Sequence, residues 1–320
     1  MLVYVVAVLL FLGVLYYRHR DSKRLNSVND KHVYITGCDS GFGHRLAQRL
    51  DELGFYVLAA CYTQKGAEDL KTSTSPRLKI LQLDVTNSES INKAAEIVKS
   101  EVKEKGLWGL VNNAGISFPS APSDWLTIED YKEILAVNLI GVIEVTLSVL
   151  PLIKKARGRV VNIASIFGRL SIIGGAYCIS KYGVEAFNDS LRRDMHDFGV
   201  KVLCVEPSFF KTRITRFDLV LQNTNKLWEK LSPEVKEDYG DDFVEKSMQV
   251  FMKTARTLID PDLMKVVWCM EHALTAVHPR TRYSAGLNAK YFWIPLSYMP
   301  TVFADFVFRL AKVKPAKSVV

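Results

Sequence analysis

Cysteine and histidine are scarce in this 320-residue chain, which contains five cysteines and six histidines. The cysteines are scattered, odd in number and mostly set within apolar runs, so they do not form the disulfide framework of a small secreted protein. No two histidines stand at the spacing of metal ligands. We therefore expect reduced cysteines in the core and no metal site.

Signals of nucleic-acid binding are missing as well. The net charge is +8, yet lysine and arginine are interspersed with acidic residues. There is no arginine-rich arm, zinc-finger spacing or aromatic pattern of an RNA-binding sheet. We interpret the positive charge as a solvated surface and expect no nucleic-acid partner.

Long uncharged runs are also rare, and the clearest one opens the sequence. Residues 1–17 carry no charge and are rich in valine and leucine. As a helix they would span ~25 Å, close to the ~27 Å hydrocarbon core of an endoplasmic-reticulum membrane. Four basic residues follow the run: Arg18, Arg20, Lys23 and Arg24.

This order of apolar run and positive charge is the reverse of that in a cleaved signal peptide. We therefore expect an uncleaved membrane anchor at residues 1–17, rather than a cleaved signal or a buried helix. Residues 18–30 are polar and predict a short linker. The length of the run suits the endoplasmic-reticulum membrane, and the positive charges favour a body on the cytosolic face.

From Lys31 onward, short β-rich runs alternate with longer helical periods, a pattern typical of a parallel sheet with helical crossovers. The predicted strands are 32–36, 56–60, 78–83, 107–112, 159–163, 200–206 and 282–284. The predicted helices are 43–53, 65–73, 88–104, 127–155 and 176–198. The sequence therefore predicts one α/β domain at 31–285, built on a Rossmann-like, doubly wound parallel sheet.

Two segments are expected to lie near apolar ligands or lipid. Residues 208–260 are charged with interleaved aromatics, and predict either a helical insertion over a substrate cleft or an ordinary packed excursion. Residues 286–320 include a strongly apolar stretch that prolines and charges interrupt. We favour a membrane-associated or substrate-entrance segment there, over a second transmembrane helix or a core helix.

A glycine-rich turn follows the first predicted strand, and reads Thr36-Gly37-Cys38-Asp39-Ser40-Gly41-Phe42-Gly43. Glycines permit a tight turn and close approach to a pyrophosphate at a helix N-terminus. Asp84 and the run Asn112-Asn113-Ala114-Gly115 end later strands, where ligands bind in open α/β sheets. Asp84 could accept a hydrogen bond from an adenine amino group, whereas the asparagines could equally cap a turn.

One Tyr-x-x-x-Lys pair, Tyr177 and Lys181, follows Ser165 in the sequence. Residues four apart lie on one face of a helix, where the ammonium can lower the pKa of a phenol that ordinarily titrates near ~10. Such a tyrosine is a general acid/base for an alcohol oxygen. Singly, Tyr177 could be a core aromatic and Ser165 a turn residue, but the order of all the motifs favours an enzyme.

Together these motifs resemble the short-chain dehydrogenase/reductase family from Lys31 to about Tyr283. Shorter motifs are similar to those of the retinol dehydrogenases, a microsomal subgroup that also oxidises 3α- and 17β-hydroxysteroids. They are the glycine-rich turn, Gly106-Leu107-Trp108-Gly109-Leu110, Glu271-His272-Ala273-Leu274, His278-Pro279-Arg280-Thr281-Arg282-Tyr283 and Trp293-Ile294-Pro295-Leu296-Ser297.

The resemblance implies a role for each matching residue. Tyr177 would be the acid/base, and Lys181 would lower its pKa and hold the nicotinamide ribose. Ser165 would bind the substrate oxygen, and Asn138 would hold a water of the proton relay. The implied cofactor-binding residues are Thr36, Gly37, Ser40, Gly41, Phe42, Gly43, Asp84, Asn112, Ala114, Gly115, Tyr177, Lys181, Pro207 and Thr212.

This chain departs from the family pattern at two positions. Ala164 replaces the first serine of a Ser-Ser pair, but the catalytic serine is the second one. Ser208 replaces the glycine that follows Pro207, which changes the conformational freedom of the loop near the nicotinamide.

The choice of cofactor is left open by the second strand, which ends Ala60-Cys61-Tyr62-Thr63-Gln64-Lys65. No acid there excludes NADP, and no base directly at the strand end requires it. The resemblance favours NAD, and NADP stays an alternative.

The sequence thus predicts an oxidoreductase that transfers a hydride from retinol or a 3α/17β-hydroxysteroid to NAD. Its expected partners are the hydrophobic substrate and membrane lipid, with a homodimer possible. The alternatives are an NADPH-dependent reductase of retinal or ketosteroids, a catalytically silent cofactor-binding membrane protein, and a lipid carrier.

Overall fold

The computed structural model describes residues 1–310 and 312–319 of the chain. Its centre is a parallel sheet with the strand order β3-β2-β1-β4-β5-β6-β7. The strands are β1 His32–Ile35, β2 Tyr56–Cys61, β3 Lys79–Gln82, β4 Gly109–Asn112, β5 Arg159–Ile163, β6 Lys201–Pro207 and β7 Arg282–Ala285. This is the predicted doubly wound sheet, and its strand order reverses between β1 and β4, where ligands bind in such folds.

Helices cover both faces of the sheet. The helices of the described residues are α1 Leu2–Ser22, α2 Gly41–Glu52, α3 Gln64–Lys71, α4 Ser88–Val102, α5 Ile128–Leu135, α6 Gly141–Ala156, α7 Ala176–Asp194, α8 Phe217–Lys230, α9 Pro233–Tyr239, α10 Phe243–Leu258, α11 Met264–Thr275, α12 Ile294–Leu296 and α13 Thr301–Arg309. Side chains of α2 and α11 fill the core on one face, and those of α4 and α6 fill it on the other. Strands β4 and β5 are wholly buried, as expected for central strands of a parallel sheet that is covered on both faces.

One described helix is long and apolar enough to cross a membrane, by length and composition alone. It is Ile128–Ala156, in which a π-helical turn joins α5 to α6. Its side chains Val145, Val149 and Ile153 are fully buried in the core. The apolar surface of this helix therefore packs against the sheet and α4.

Helix α1 extends beyond the predicted anchor and ends at Ser22, so the predicted linker at 18–30 begins as helix. The rest of that segment is attached to the body. The Leu25 amide donates to the Thr275 carbonyl (2.8 Å), and the Val277 amide donates to the Lys23 carbonyl (3.0 Å). Sequence patterns alone missed this docking because it depends on residues at the far end of the chain.

The insertion at 208–260 forms α8, α9 and α10, as the helical prediction required. The apolar C-terminal stretch is broken by Pro300 into two short helices, α12 and α13. The nine residues of α13 reach about 13.5 Å, well short of a ~30 Å hydrocarbon core. Trp293, Leu296 and Ala304 form the buried side of the C-terminal stretch, together with residues that follow β5.

Candidate active site

The glycine-rich turn between β1 and α2 adopts the backbone that glycine permits. Gly37 and Gly41 have φ angles of 71° and 66°, in the region that side chains disfavour. A Cβ atom on Gly37 would lie 2.7 Å from the Ala114 Cα, and one on Gly43 would lie 2.5 Å from the Gly37 carbonyl oxygen. The turn therefore lies directly against the end of β4, and Ser40 stands at the N-cap of α2.

Polar side chains hold these two strand ends together. The Thr36 hydroxyl accepts from the Asn113 and Ala114 amides, each at 3.1 Å. The Asn113 side-chain amide donates to the carbonyls of Thr36 (3.0 Å) and Gly37 (2.9 Å). Asn113 was quoted in the sequence motif without a role, and it shapes the turn.

Asn112, a predicted cofactor-binding residue, points into the interior. Its amide nitrogen donates to the Thr146 hydroxyl and to the Asn162 side-chain oxygen, both at 2.8 Å. Its side chain is buried and braces β4 against β5 and α6. Asn112 therefore supports the strand ends in this structure, and its predicted cofactor-binding role stays a prediction.

Other predicted cofactor-binding residues lie at the same edge of the sheet. A carboxylate oxygen of Asp84 accepts from the Thr86 amide (2.9 Å) and hydroxyl (2.7 Å), which fixes it after β3. Thr212, in the loop after β6, comes within 3.7 Å of where a Gly41 Cβ would lie. Phe42 packs edge-on against Phe210 at 5.6 Å, so its ring joins the core.

An acid does lie at the end of the second strand, contrary to the expectation from that strand's own sequence. The Asp39 carboxylate accepts from the Tyr62 amide (2.9 Å), the Thr63 amide (2.7 Å) and the Thr63 hydroxyl (2.6 Å). Asp39 belongs to the glycine-rich turn. It was overlooked because only the fold brings this turn beside the end of β2.

Helix α7 carries Tyr177 and Lys181 on one face. The Lys181 ammonium donates to the Ile163 carbonyl at 2.9 Å and lies 5.7 Å from the centre of the Tyr177 ring. Burial lowers the pKa of Lys181 to about 8. The predicted pair is therefore formed, with the lysine fixed to the end of β5.

The direction of the tyrosine pKa differs from the sequence expectation. Burial raises the pKa of Tyr177 to about 12, and a hydrogen bond to Ser165 opposes that rise. Lys181 was expected to lower the phenol pKa below its ordinary value. The ammonium lies 5.7 Å from the ring centre, and the desolvation of the phenol is the largest influence on its pKa.

Ser165 caps the short turn that follows β5 and is buried. Its oxygen accepts from the Phe167 amide (3.2 Å) and donates weakly to the Pro207 carbonyl (3.5 Å). The serine thus links the ends of β5 and β6 beside Tyr177.

Asn138 lies in the π-helical turn between α5 and α6 and is fully buried. Its amide nitrogen donates to the Ile116 carbonyl (2.8 Å) and the Ser180 hydroxyl (3.1 Å), and its oxygen accepts from the Ile116 amide (2.9 Å). A Cβ on Gly115 would lie 3.3 Å from that oxygen and 3.8 Å from the Lys181 ammonium. Asn138 and Lys181 therefore converge on Gly115, and the water-holding role of Asn138 stays a prediction.

The departure at Ser208 changes the connections of the loop after β6. The Ser208 hydroxyl donates through a short hydrogen bond to the Asn288 side-chain oxygen, and the Ser208 amide donates to Ala285 (3.1 Å). The Asn288 amide nitrogen in turn reaches the Leu258 carbonyl (3.2 Å). The serine therefore ties this loop to the end of α10 and to the C-terminal segment.

A family model described as short chain dehydrogenase matches residues 31–219. The chain belongs to the short-chain dehydrogenase family. Family membership and the convergence of Tyr177, Lys181 and Ser165 identify an NAD(P)-dependent alcohol oxidoreductase.

Several named dehydrogenases of the family are similar to this chain over nearly its whole length. It is 55% identical to retinol dehydrogenase 7 of Rattus norvegicus, over 93% of this chain and 94% of the relative. It is 54% identical to retinol dehydrogenase 16 of Homo sapiens, over 96% and 98%. It is 50% identical to 17-beta-hydroxysteroid dehydrogenase type 6 of Homo sapiens, over 97% and 98%.

A solved structure supports the fold assignment of this dehydrogenase. A short-chain dehydrogenase from Streptomyces avermitilis superposes with a TM-score of 0.67 at 23% identity, covering 87% of this chain and 94% of the other. At that identity the likeness concerns the fold alone.

Each part of the site has its own predicted role in the reaction of this dehydrogenase. A bound nicotinamide would supply the hydride-accepting carbon, and Lys181 is among the residues predicted to hold the cofactor. In the predicted roles, Tyr177 would take the proton of an alcohol oxygen that Ser165 would orient. The glycine-rich turn and the N-terminus of α2 would provide backbone amides for a pyrophosphate.

Proposed function

We propose that this enzyme oxidises a hydrophobic alcohol, retinol or a 3α- or 17β-hydroxysteroid, to the aldehyde or ketone, and passes the hydride to NAD. The observation that carries the proposal is a row of aromatic rings leading away from Tyr177. Phe167 lies edge-on to Tyr177 at 5.9 Å and to Phe209 at 5.5 Å, and Phe209 meets Trp293 at 6.0 Å. Such a row of rings provides apolar contacts for a polyene or a steroid skeleton, but no hydrogen-bonding groups for a sugar or a hydroxy acid.

The row continues to the surface through the C-terminal segment. Trp293 stacks with Phe308 of α13 at 6.5 Å. The outer side of this segment exposes a set of large apolar side chains that we call the C-terminal patch: Tyr298, Met299, Val302, Phe303, Phe306 and Leu310. We infer that this patch rests in the membrane surface and that substrate dissolved in lipid reaches the site there.

Asp39 supports NAD over NADP. Its carboxylate lies at the end of β2, where dinucleotide folds bind the adenosine ribose. A 2′-phosphate there would face a negative charge that three hydrogen-bond donors already hold in position. We therefore assign NAD as the cofactor of oxidation.

The cellular setting follows from α1. Its side chains from Tyr4 to Tyr17 lie exposed on the described protein, which suits a helix inserted in lipid. We propose anchorage in the endoplasmic-reticulum membrane through residues 1–17, with the body on the cytosolic face. A homodimer is also proposed, because Ile140 of the π-helical turn and Leu147 of α6 are both exposed.

The deciding experiment is a steady-state assay of microsomal full-length enzyme with retinol and with 3α- and 17β-hydroxysteroids, each with NAD and NADP. We expect oxidation of at least one of these alcohols, with the higher kcat/KM for NAD. Tyr177→Phe provides the matched inactive control, because loss of a positioned acid/base lowers turnover by roughly 10²–10⁴-fold. Activity confined to small polar alcohols would defeat the substrate proposal, and a preference for NADPH would favour the reductase alternative.

A further inference from the structure

Basic side chains from distant parts of the sequence meet at the base of α1. The Val277 amide donates to the Lys23 carbonyl at 3.0 Å, and the Lys201 ammonium donates to the Val277 carbonyl at 3.2 Å. Val277 is therefore flanked by a lysine of the N-terminal segment and a lysine of β6. Arg20, one turn earlier in α1, and the exposed His278 belong to the same region.

The position of α1 on the body is fixed by an ion pair. The Arg280 guanidinium donates to the Asp21 carboxylate at 2.8 Å. His272 contacts the Asp21 carbonyl at 2.9 Å through one ring nitrogen and the Tyr283 hydroxyl at 2.8 Å through the other. The acidic side chain closest to the base of α1 is thus already paired.

The remaining positive charges repel one another. The pKa of Lys201 is lowered by burial and then by Arg159 and Arg20. The pKa of His278 is lowered by desolvation and then by Arg20, Lys201 and Lys23. Among the ion pairs of residues 1–310 and 312–319, none gives Arg20, Lys23, Lys201 or His278 a carboxylate partner.

We propose that Arg20, Lys23, Lys201 and His278 form a basic surface that binds the phosphates of anionic membrane lipids. The inference rests on the proposed anchor, because residues 1–17 in the bilayer would hold this surface at the headgroup layer. Arg20 follows Tyr17 by about 4.5 Å along the helix. Lys201 and His278 come from the folded body, so the surface is more than a basic flank of the anchor.

The test uses full-length protein in a neutral detergent, titrated with water-soluble short-chain phosphatidylserine or phosphatidylcholine and followed by native mass spectrometry. We expect the serine lipid to bind more tightly. Lys201→Gln should weaken its binding roughly fivefold, the usual effect of one basic residue near an anionic membrane surface. Adding His278→Gln should weaken it further at acidic pH.

The control is Lys226→Gln, which removes one exposed charge from α8 and should leave lipid binding unchanged. Both single variants should keep wild-type dehydrogenase activity, because neither residue lies in the active site. Equal binding of phosphatidylserine to Lys201→Gln and wild type would overturn the basic surface and leave the enzyme and the anchor standing. Release of the full-length protein from microsomes by alkaline carbonate would instead overturn the anchor, and the basic surface with it.

Discussion

At the scale of single residues, Asp39 holds the end of β2 through the Tyr62 and Thr63 amides, and Tyr177 and Lys181 share one face of α7. Tyr177 and Lys181 were found by spacing, because a helix places residues four apart on one face wherever it lies. Asp39 was quoted but given no role, because its position depends on the packing of the β1–α2 turn against β2. Local geometry can be predicted from the sequence alone, whereas a contact between separate elements can be predicted only when the fold is known.

The role of Asp39 can be tested by removing its charge alone. Asp39→Asn keeps one oxygen for the Thr63 amide and hydroxyl, loses the oxygen that accepts from the Tyr62 amide, and removes the repulsion of a 2′-phosphate. We expect kcat/KM with NADP to rise roughly tenfold or more, equivalent to about 1.4 kcal/mol, with a small change for NAD. An unchanged NAD/NADP ratio in paired assays would assign Asp39 a purely structural role.

Lys181 predicts a pH-dependent cost in stability. Its pKa in the folded protein is about 8, below the ordinary value of 10.5. Protonated Lys181 therefore destabilises the folded state below pH 8, and this cost disappears as the pH rises from about 8 to 10.5. Lys181→Met lacks the buried charge, so wild type should gain about 1–3 kcal/mol relative to this variant between pH 7 and pH 10.

Thermal unfolding of both proteins in detergent across that pH range measures the difference. Lys226→Met removes an exposed lysine, so its stability should change with pH in the same way as that of wild type. A gap between Lys181→Met and wild type that stays constant with pH would contradict the assigned pKa.

Among the elements, the strands were predicted closely and the N-terminal linker was not. Buried parallel strands are short apolar runs between turns, so their position is local information. Residues 21–25 are mostly polar and have no period, and hydrogen bonds to Thr275, Val277 and Arg280 fix their position on the body. Nothing in the sequence of this segment indicates those hydrogen-bond partners.

This docking predicts that two truncations behave differently. Removing residues 1–17 should release the enzyme from membranes and leave its stability and activity near wild type. Removing residues 1–25 also deletes the Asp21–Arg280 pair and the Leu25 hydrogen bond, and should cost about 1–3 kcal/mol. For a domain of this size that is a fall of several degrees in Tm, measurable by thermal unfolding. Equal Tm values for the two truncations would mean that residues 18–30 are a linker that adds no stability.

At the scale of the whole molecule, the features proposed to touch lipid lie at the two ends of β7, the edge strand. The base of α1 contacts residues 276–280, just before β7, and the C-terminal patch follows its end. The aromatic row joins that patch to Tyr177. A bilayer along this edge would hold the anchor and the substrate entrance together.

This arrangement predicts that the C-terminal patch affects delivery of substrate rather than chemistry. Phe303 and Phe306 are 50% and 60% exposed, so Phe303→Glu with Phe306→Glu should leave the fold intact while repelling the membrane surface. With retinol supplied in liposomes, KM should rise roughly tenfold or more, since each buried phenyl group contributes about 1.5–3 kcal/mol, and kcat should change little. With retinol supplied in detergent micelles, the variant should match wild type. An equal rise in KM in both media would mean that these residues shape the pocket itself, and the bilayer route would then be wrong.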